Sequence, residues 1–166
     1  AGSVSLSEAQ ECTPCELGYV QPDPGQSQCV RCGREEYSPI EGGTVCEECP
    51  DNATNLADPP AYRSQCECKE GFTNPQLENG HACFPCPTGA VCAGGTAPAV
   101  PKAGFWSEKE GSDAVFLPCA TSDACPGGAA KTCSSGHVGR LCGLCDEGFF
   151  SEGGICRACP PNSPAL

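Results

Sequence analysis

Cys12, Cys15, Cys29 and Cys32 form two C-x-x-C pairs with 13 residues between them, a spacing that can grip zinc through four thiolates or be closed by disulfides. Three features favour disulfides. The pairs run on through Cys46 and Cys49, so each knuckle would be claimed by two neighbours. The C-x-C of Cys66 and Cys68 cannot chelate as its siblings would, and the basic surface of most zinc ribbons is missing. A catalytic dithiol of the thioredoxin kind needs one such pair in a βαβ setting, whereas six C-x-x-C pairs sit here in loops. His81 and His137 each fall in a polar turn between cysteines and read as solvated loop residues. Glu35-Glu36, Glu47-Glu48 and Asp146-Glu147 pose as acid/base partners, but with no core to build a cleft they read as a solvated acidic face. No catalytic residue, metal site or cofactor is expected. An acidic extracellular chain can bind calcium weakly, yet the ligand spacing of an EF-hand loop is absent.

Composition says what must position these residues. The chain has 166 residues and 18 cysteines, a density that marks a disulfide scaffold. Leu, Ile, Val and Phe number only 24, against 21 Gly and 17 Pro. So little apolar surface cannot offset backbone entropy, and cross-links must take over the role of a core. The net charge is −12, with 14 acids and 4 bases in residues 1–92. That surface excludes nucleic acid as a partner. No apolar run reaches transmembrane length, and no basic-plus-apolar signal segment opens the chain, so membrane insertion is not expected. The absence of Met suggests a processed product, a fragment or a fusion piece.

The cysteines repeat: 12 and 15, 29 and 32, 46 and 49, an offset of 17 each time. The step slips at Cys66 and Cys68 and resumes with Cys83 and Cys86. Gly25, Gly42 with Gly43, Gly80, and Gly153 with Gly154 stand just before closing cysteines and mark reversals of short hairpins. Three units open with C-x-x-G-aromatic: Cys15 to Tyr19, Cys68 to Phe72 and Cys145 to Phe149. The glycine lets the chain turn beside a bridge, and the ring forms the miniature core of its unit. Residues 93–104, rich in Ala, Gly and Pro, read as a linker. After it, Phe105-Trp106 and the run 114–117 flank a polar stretch with Gly111, a hairpin signal. Trp106 is expected to pack under that hairpin, and is also a candidate contact residue, since aromatic rings are enriched at interfaces. No 3.6-period stripe appears. The fold class is therefore small and disulfide-rich: an elongated array of short β-hairpins and loops, with little or no helix and a minimal hydrophobic core.

"CELGYVQPDPGQSQCVRC", "GREEYSPIEGGTVCEECP" and "CECKEGFTNPQLENGHACFPCP" resemble ephrin-receptor-like cysteine-rich repeats, relatives in style of tumour-necrosis-factor-receptor and EGF-like modules, over residues 12–92. "CSSGHVGRLCGLCDEGFFSEGGICRAC" at 133–159 resembles the second half of a laminin-type EGF module. The resemblance implies irregular, β-poor extracellular rods without catalytic residues. The stretch 93–132 departs from both patterns, so the expected organisation is a tail at 1–11, repeats at 12–92, a linker at 93–104, a hairpin with unassigned cysteines at 105–132, the laminin/EGF-like segment at 133–159 and a tail at 160–166. The laminin-like pattern implies Cys133 with Cys142 and Cys145 with Cys156. The EGF-like C-x-C implies Cys49 with Cys66 and Cys68 with Cys83, and the same hairpin logic implies Cys15 with Cys29 and Cys32 with Cys46. Cys86, Cys92, Cys119 and Cys125 are then left to pair among themselves across the linker, and Cys12 and Cys159 are left over. In a continuing ladder these two would bond neighbouring units. The alternatives are a fold-back bond between Cys12 and Cys159, or a shifted register with Cys12 bonded to Cys29.

Two functions fit. One is a structural extracellular protein, secreted or at the cell surface, that meets other copies of itself or further repeats of a longer chain in a fibre, coat or matrix. The other is a ligand-binding ectodomain module with a protein partner. Asn52-Ala53-Thr54 is the only N-x-[ST] sequon, in a loop expected to be exposed, and is a glycosylation candidate.

Overall fold

The computed structural model of the chain describes residues 1–5, 11–74, 82–111 and 114–160; His81 and Gly80 lie outside the described residues. The chain divides into two compact units, residues 1–84 with 94–96, and residues 85–93 with 97–166.

Both units repeat one local device. In the first, β1 (Ser3–Val4) pairs with β2 (Thr13–Pro14), β3 (Tyr19–Val20) with β4 (Val30–Arg31), β5 (Glu36–Tyr37) with β6 (Glu47–Glu48) and β7 (Ala53–Asn55) with β8 (Cys66–Cys68), all antiparallel. Then β9 (Phe72–Thr73) pairs with β10 (Phe84–Pro85). In the second, β11 (Ala90–Val91) pairs with β12 (Val100–Pro101), and β13 (Phe105–Trp106) with β14 (Leu117–Pro118). There β15 (His137–Val138) pairs with β16 (Leu144–Cys145), and β17 (Phe149–Glu152) with β18 (Ile155–Ala158). Helix is limited, among the described residues, to 3-10 turns at Arg63–Gln65, Ser122–Ala124 and Arg140–Cys142.

The turn before each hairpin explains the C-x-x-G-aromatic pattern. Tyr19 N–H donates to the Glu16 carbonyl at 3.1 Å across Gly18, whose φ is +79°. That is a four-residue turn needing positive φ at its third position, where a glycine carries no Cβ penalty. Phe72 and Phe149 repeat it, bonding Lys69 and Asp146 across Gly71 and Gly148. The hairpin then closes at the same point each time: Cys15 N–H donates to the Gly2 carbonyl, Cys32 to Gly18, Cys119 to Gly104 and Cys159 to Gly148, at 2.8 to 3.0 Å. At the far end of β17–β18, Gly153 and Gly154 both have positive φ between Glu152 and Ile155, which pair directly. This is the two-residue loop whose twist matches the strands.

The core consists of small clusters built largely from cysteine. Tyr37, Ala53, Cys66, Cys68 and Cys83 are buried together, with Cys49 and Phe72 against them. In the second unit Trp106, Ala124, Cys125 and Cys142 form another, flanked by Cys119, Cys133 and Leu141. Each cluster buries one large ring fully, worth about 2–3 kcal/mol, whereas a disulfide closing a loop of about 15 residues contributes about 3 kcal/mol. Cross-links therefore outweigh apolar burial.

Two segments depart from the sequence reading. Residues 1–11, expected as a tail, contribute Ser3 and Val4 to a paired strand. The Gly2 N–H reaches the Gln21 carbonyl at 2.7 Å, because the first strand of a hairpin needs only the glycine ahead of it and not a cysteine there. Residues 93–104, expected as a linker, are also structured. Gly95 bridges Cys68, and Val100 and Pro101 pair with Val91 and Ala90. Ala, Gly and Pro suit a flexible spacer, but Gly94 and Gly95 here supply positive φ for a tight turn.

Candidate functional site

The chemistry of this chain is sulfur chemistry, and sixteen cysteines close eight disulfides. The structure brings together Cys15 with Cys29, Cys32 with Cys46, Cys49 with Cys66 and Cys68 with Cys83. It also joins Cys133 to Cys142 and Cys145 to Cys156. Cys86 bonds Cys92 and Cys119 bonds Cys125, each six residues apart. The expectation that these four would pair across the linker is corrected. The linker folds as the arm of β11–β12, so each cysteine meets its partner within its own short loop. Cys12 and Cys159 are free and exposed. Cys12 bonds neither Cys29 nor Cys159.

Five of the eight bridges share one placement. Cys15 stands directly after β2 and bonds Cys29, directly before β4; Cys32 stands after β4 and bonds Cys46, before β6. Cys49–Cys66, Cys68–Cys83 and Cys145–Cys156 follow the same plan, each starting at the end of one hairpin and closing at the second strand of the next, whereas Cys86–Cys92, Cys119–Cys125 and Cys133–Cys142 close shorter loops of their own. A shallow groove of about 410 Å³ lies beside the first such junction, lined by Val4, Thr13, Pro14, Glu16, Tyr19 and residues of the loop before β4.

His137 overturns its reading as a solvated loop residue, being only 8% exposed. Its Nε2 accepts the Cys156 N–H at 3.2 Å and its Nδ1 lies 3.1 Å from the Cys142 carbonyl. Acceptance at Nε2 leaves the ring proton on Nδ1, donated to Cys142. The imidazole is thus a neutral strut between two disulfide-bonded loops, with neither nitrogen free for chemistry. The signal in the sequence was its position: His137 follows Gly136 as Tyr19 follows Gly18, the slot that an aromatic ring takes in other units.

Trp106, a candidate contact residue, is 4% exposed and lies against Cys125 and Cys142. A buried ring offers no contact surface, so that role is corrected; as the largest apolar group of its unit it is the core. Asn52 is exposed, and its φ of 61° puts it in the turn position that glycine takes elsewhere. Its Nδ2 donates to the Cys83 carbonyl at 3.3 Å and the Thr54 hydroxyl donates to Arg34 at 3.0 Å.

Glu36, Glu47 and Glu48 lie on hairpin strands, whereas Glu35, Asp146 and Glu147 lie in the turns that lead into them. Glu36 stands opposite Glu48, and Tyr37 donates its hydroxyl proton to Glu47 at 2.8 Å. Burial, with the Glu47 carboxylate second, pushes the Tyr37 phenol above its ordinary range. Glu35 pairs with Lys69 and Arg31 with Asp58. Among the described residues no three or more His, Cys, Asp or Glu side chains converge on a point where a metal could sit. No described helix is long and apolar enough to cross a membrane.

Residues 2–49 match the family described as tyrosine-protein kinase ephrin type A/B receptor-like, and residues 116–159 match a domain of unknown function, DUF7630. The chain is a cysteine-rich repeat module. Cysteine repeat modular protein A of Toxoplasma gondii is 26% identical over 164 residues, covering 85% of this chain and 5% of that protein. Laminin subunit gamma-1 of Danio rerio is 29% identical over 178 residues, covering 93% of this chain and 9% of that protein. The chain thus spans a small fraction of the length of either relative. The ephrin-receptor-like stretch begins at Gly2, directly before β1, so the similarity includes the strand that precedes the first cysteine.

Proposed function

We propose that this chain is a non-enzymatic, extracellular structural module, a disulfide-stapled array of hairpins that contributes to a fibre, coat or matrix through contacts between repeats. The observation that carries this reading is the shared placement of five of the eight staples, each starting in one hairpin and closing on the next. A unit so built stabilises its neighbour, and stacking continues for as long as hairpins are added. The density of bridges supports an oxidising, extracellular setting. The commitment of both His137 nitrogens to backbone supports a role without catalysis.

The test is the native mass of a Cys12→Ser/Cys159→Ser double variant across concentration. A concentration-dependent ladder of oligomers is expected from repeat contacts alone. A clean monomer that captures one soluble protein partner would replace this reading with that of a ligand-binding ectodomain.

A further inference from the structure

Asn52 stands in the turn position that Gly18, Gly71 and Gly148 take in other units, and it opens the N-x-[ST] sequon Asn52-Ala53-Thr54. The fold leaves Asn52 exposed, so a large substituent on its side chain has solvent to occupy. It also ties up both groups that make the sequon an acceptor of sugar. The Asn52 Nδ2 donates to the Cys83 carbonyl at 3.3 Å, and the Thr54 hydroxyl donates to the Arg34 carbonyl at 3.0 Å.

The main chain around the sequon is held as well. Ala53 is only 3% exposed, and Thr54 lies in β7 directly opposite Glu67 of β8. The Cys83 N–H donates to the Asp51 carbonyl at 3.0 Å, and the Lys69 N–H to the Asn52 carbonyl at 2.9 Å. Residues 52–54 leave the surface as a free segment only if β7–β8 opens and Cys83 withdraws.

Chain order supplies that opening. Arg34 precedes the sequon, but β8 follows it at Cys66–Cys68, and Cys83 comes 31 residues after Asn52. At a synthesis rate of about 5–20 residues per second, Asn52 emerges about 2–6 s before the carbonyl that its amide later bonds. The disulfides that fix the closed arrangement are Cys49–Cys66 around the sequon and Cys68–Cys83 beyond it. Both need the same later residues, and disulfides form in seconds to hours. Until then residues 52–54 are an unpaired segment with a free amide and a free hydroxyl.

We propose that Asn52 is an N-linked glycosylation site, modified before β8 and Cys83 close over the sequon and sealed against modification afterwards. The inference rests on the extracellular reading, which takes the chain through a secretory pathway. The co-reactant is an oligosaccharide carried on a polyprenyl diphosphate. The Asn52 Nδ2 attacks its anomeric carbon, and the new carbon–nitrogen bond forms as the bond from that carbon to the diphosphate oxygen breaks. The diphosphate leaves with the bonding pair, and one proton leaves Nδ2. One N–H remains on Nδ2 to donate to the Cys83 carbonyl once the hairpin closes, so the modified side chain suits the folded turn.

The test has two arms. The chain is secreted from a glycosylating host and its peptides are weighed. The peptide holding Asn52 is expected to carry a glycan mass that a peptide-N-glycosidase removes, converting that Asn to Asp. Thr54→Ser should keep the glycan, whereas Thr54→Val, which keeps the shape but lacks the hydroxyl, should lose it. In the second arm the chain is made without glycosylation, with its bridges formed, and is incubated with an oligosaccharyltransferase and the lipid-linked donor, beside the same chain reduced and alkylated. Modification is expected of the reduced chain and not of the folded one. An unmodified secreted chain, a reduced chain that accepts no sugar, or a folded chain modified as readily as the reduced one would each overturn the proposal. None of these results depends on the native mass of the double-serine variant, so the site can fail while the array reading stands.

Discussion

His137 Nε2 accepts the Cys156 N–H at 3.2 Å, so a side chain at the start of one hairpin holds the closing cysteine of the next. Replacing it by Phe keeps an aromatic ring and strands the buried Cys142 carbonyl and the half-buried Cys156 N–H. An unmet buried partner costs about 1–3 kcal/mol. His137→Phe should therefore lower unfolding stability by about 2–4 kcal/mol in denaturant titration with disulfides intact. A loss below the error of the measurement would return His137 to the solvated role.

Asn52 occupies a left-handed turn position, with φ 61°. Asn52→Gly should be close to neutral, because glycine relieves the strain while the bond to Cys83 is lost. Asn52→Val should cost about 2 kcal/mol or more, since a β-branched residue pays about 1–2 kcal/mol there in addition to the lost bond. Thermal unfolding of the two variants side by side gives the comparison.

Tyr37 carries the phenol that burial and Glu47 push upward. The folded state holds this proton more tightly than the unfolded one. The stabilisation is fully present below the unfolded value near 10 and is lost as pH rises through the folded value. Absorbance titration should show one tyrosine ionising later than the others, and Tyr37→Phe should remove that step and the associated loss of stability above pH about 10.

Gly136 lies under Phe149, where an added Cβ would stand 2.4 Å from the ring's Cδ1, and its φ is +78°. Gly136→Ala must move the ring or the turn. The left-handed penalty alone is about 1–2 kcal/mol, so a larger loss is expected, read as a fall in the unfolding midpoint. A variant as stable as the parent would show that the Phe149 contact is dispensable.

The bridges should differ in weight with the loop each closes. Replacing Cys49 and Cys66 by Ser, which opens a separation of 17, should cost about 3 kcal/mol, and replacing Cys86 and Cys92, with a separation of 6, about 2 kcal/mol, on the chain-entropy account. Reduction of all eight should unfold the protein. Retention of native circular dichroism in strong reductant would refute the scaffold itself.

The sequence by itself determined the disulfide-rich class and the hairpin repeat, since C-x-x-G-aromatic is a local signature: a turn that needs positive φ, a ring to cover it and a sulfur beside it all fall within five residues. It did not determine where Cys86, Cys92, Cys119 and Cys125 go, because pairing depends on which loops fold back, and the Ala/Gly/Pro stretch that reads as a spacer is the arm of a hairpin. Nor did it determine that Ser3 and Val4 are paired, because a strand with no cysteine ahead of it carries no mark in the cysteine count. The burial of His137 was also decided only by the fold. A polar ring among glycines reads as solvated until the neighbouring loop brings a backbone N–H to one nitrogen and a carbonyl to the other. Short-range chemistry is written in consecutive residues, whereas the satisfaction of a buried polar group depends on partners supplied from elsewhere in the chain.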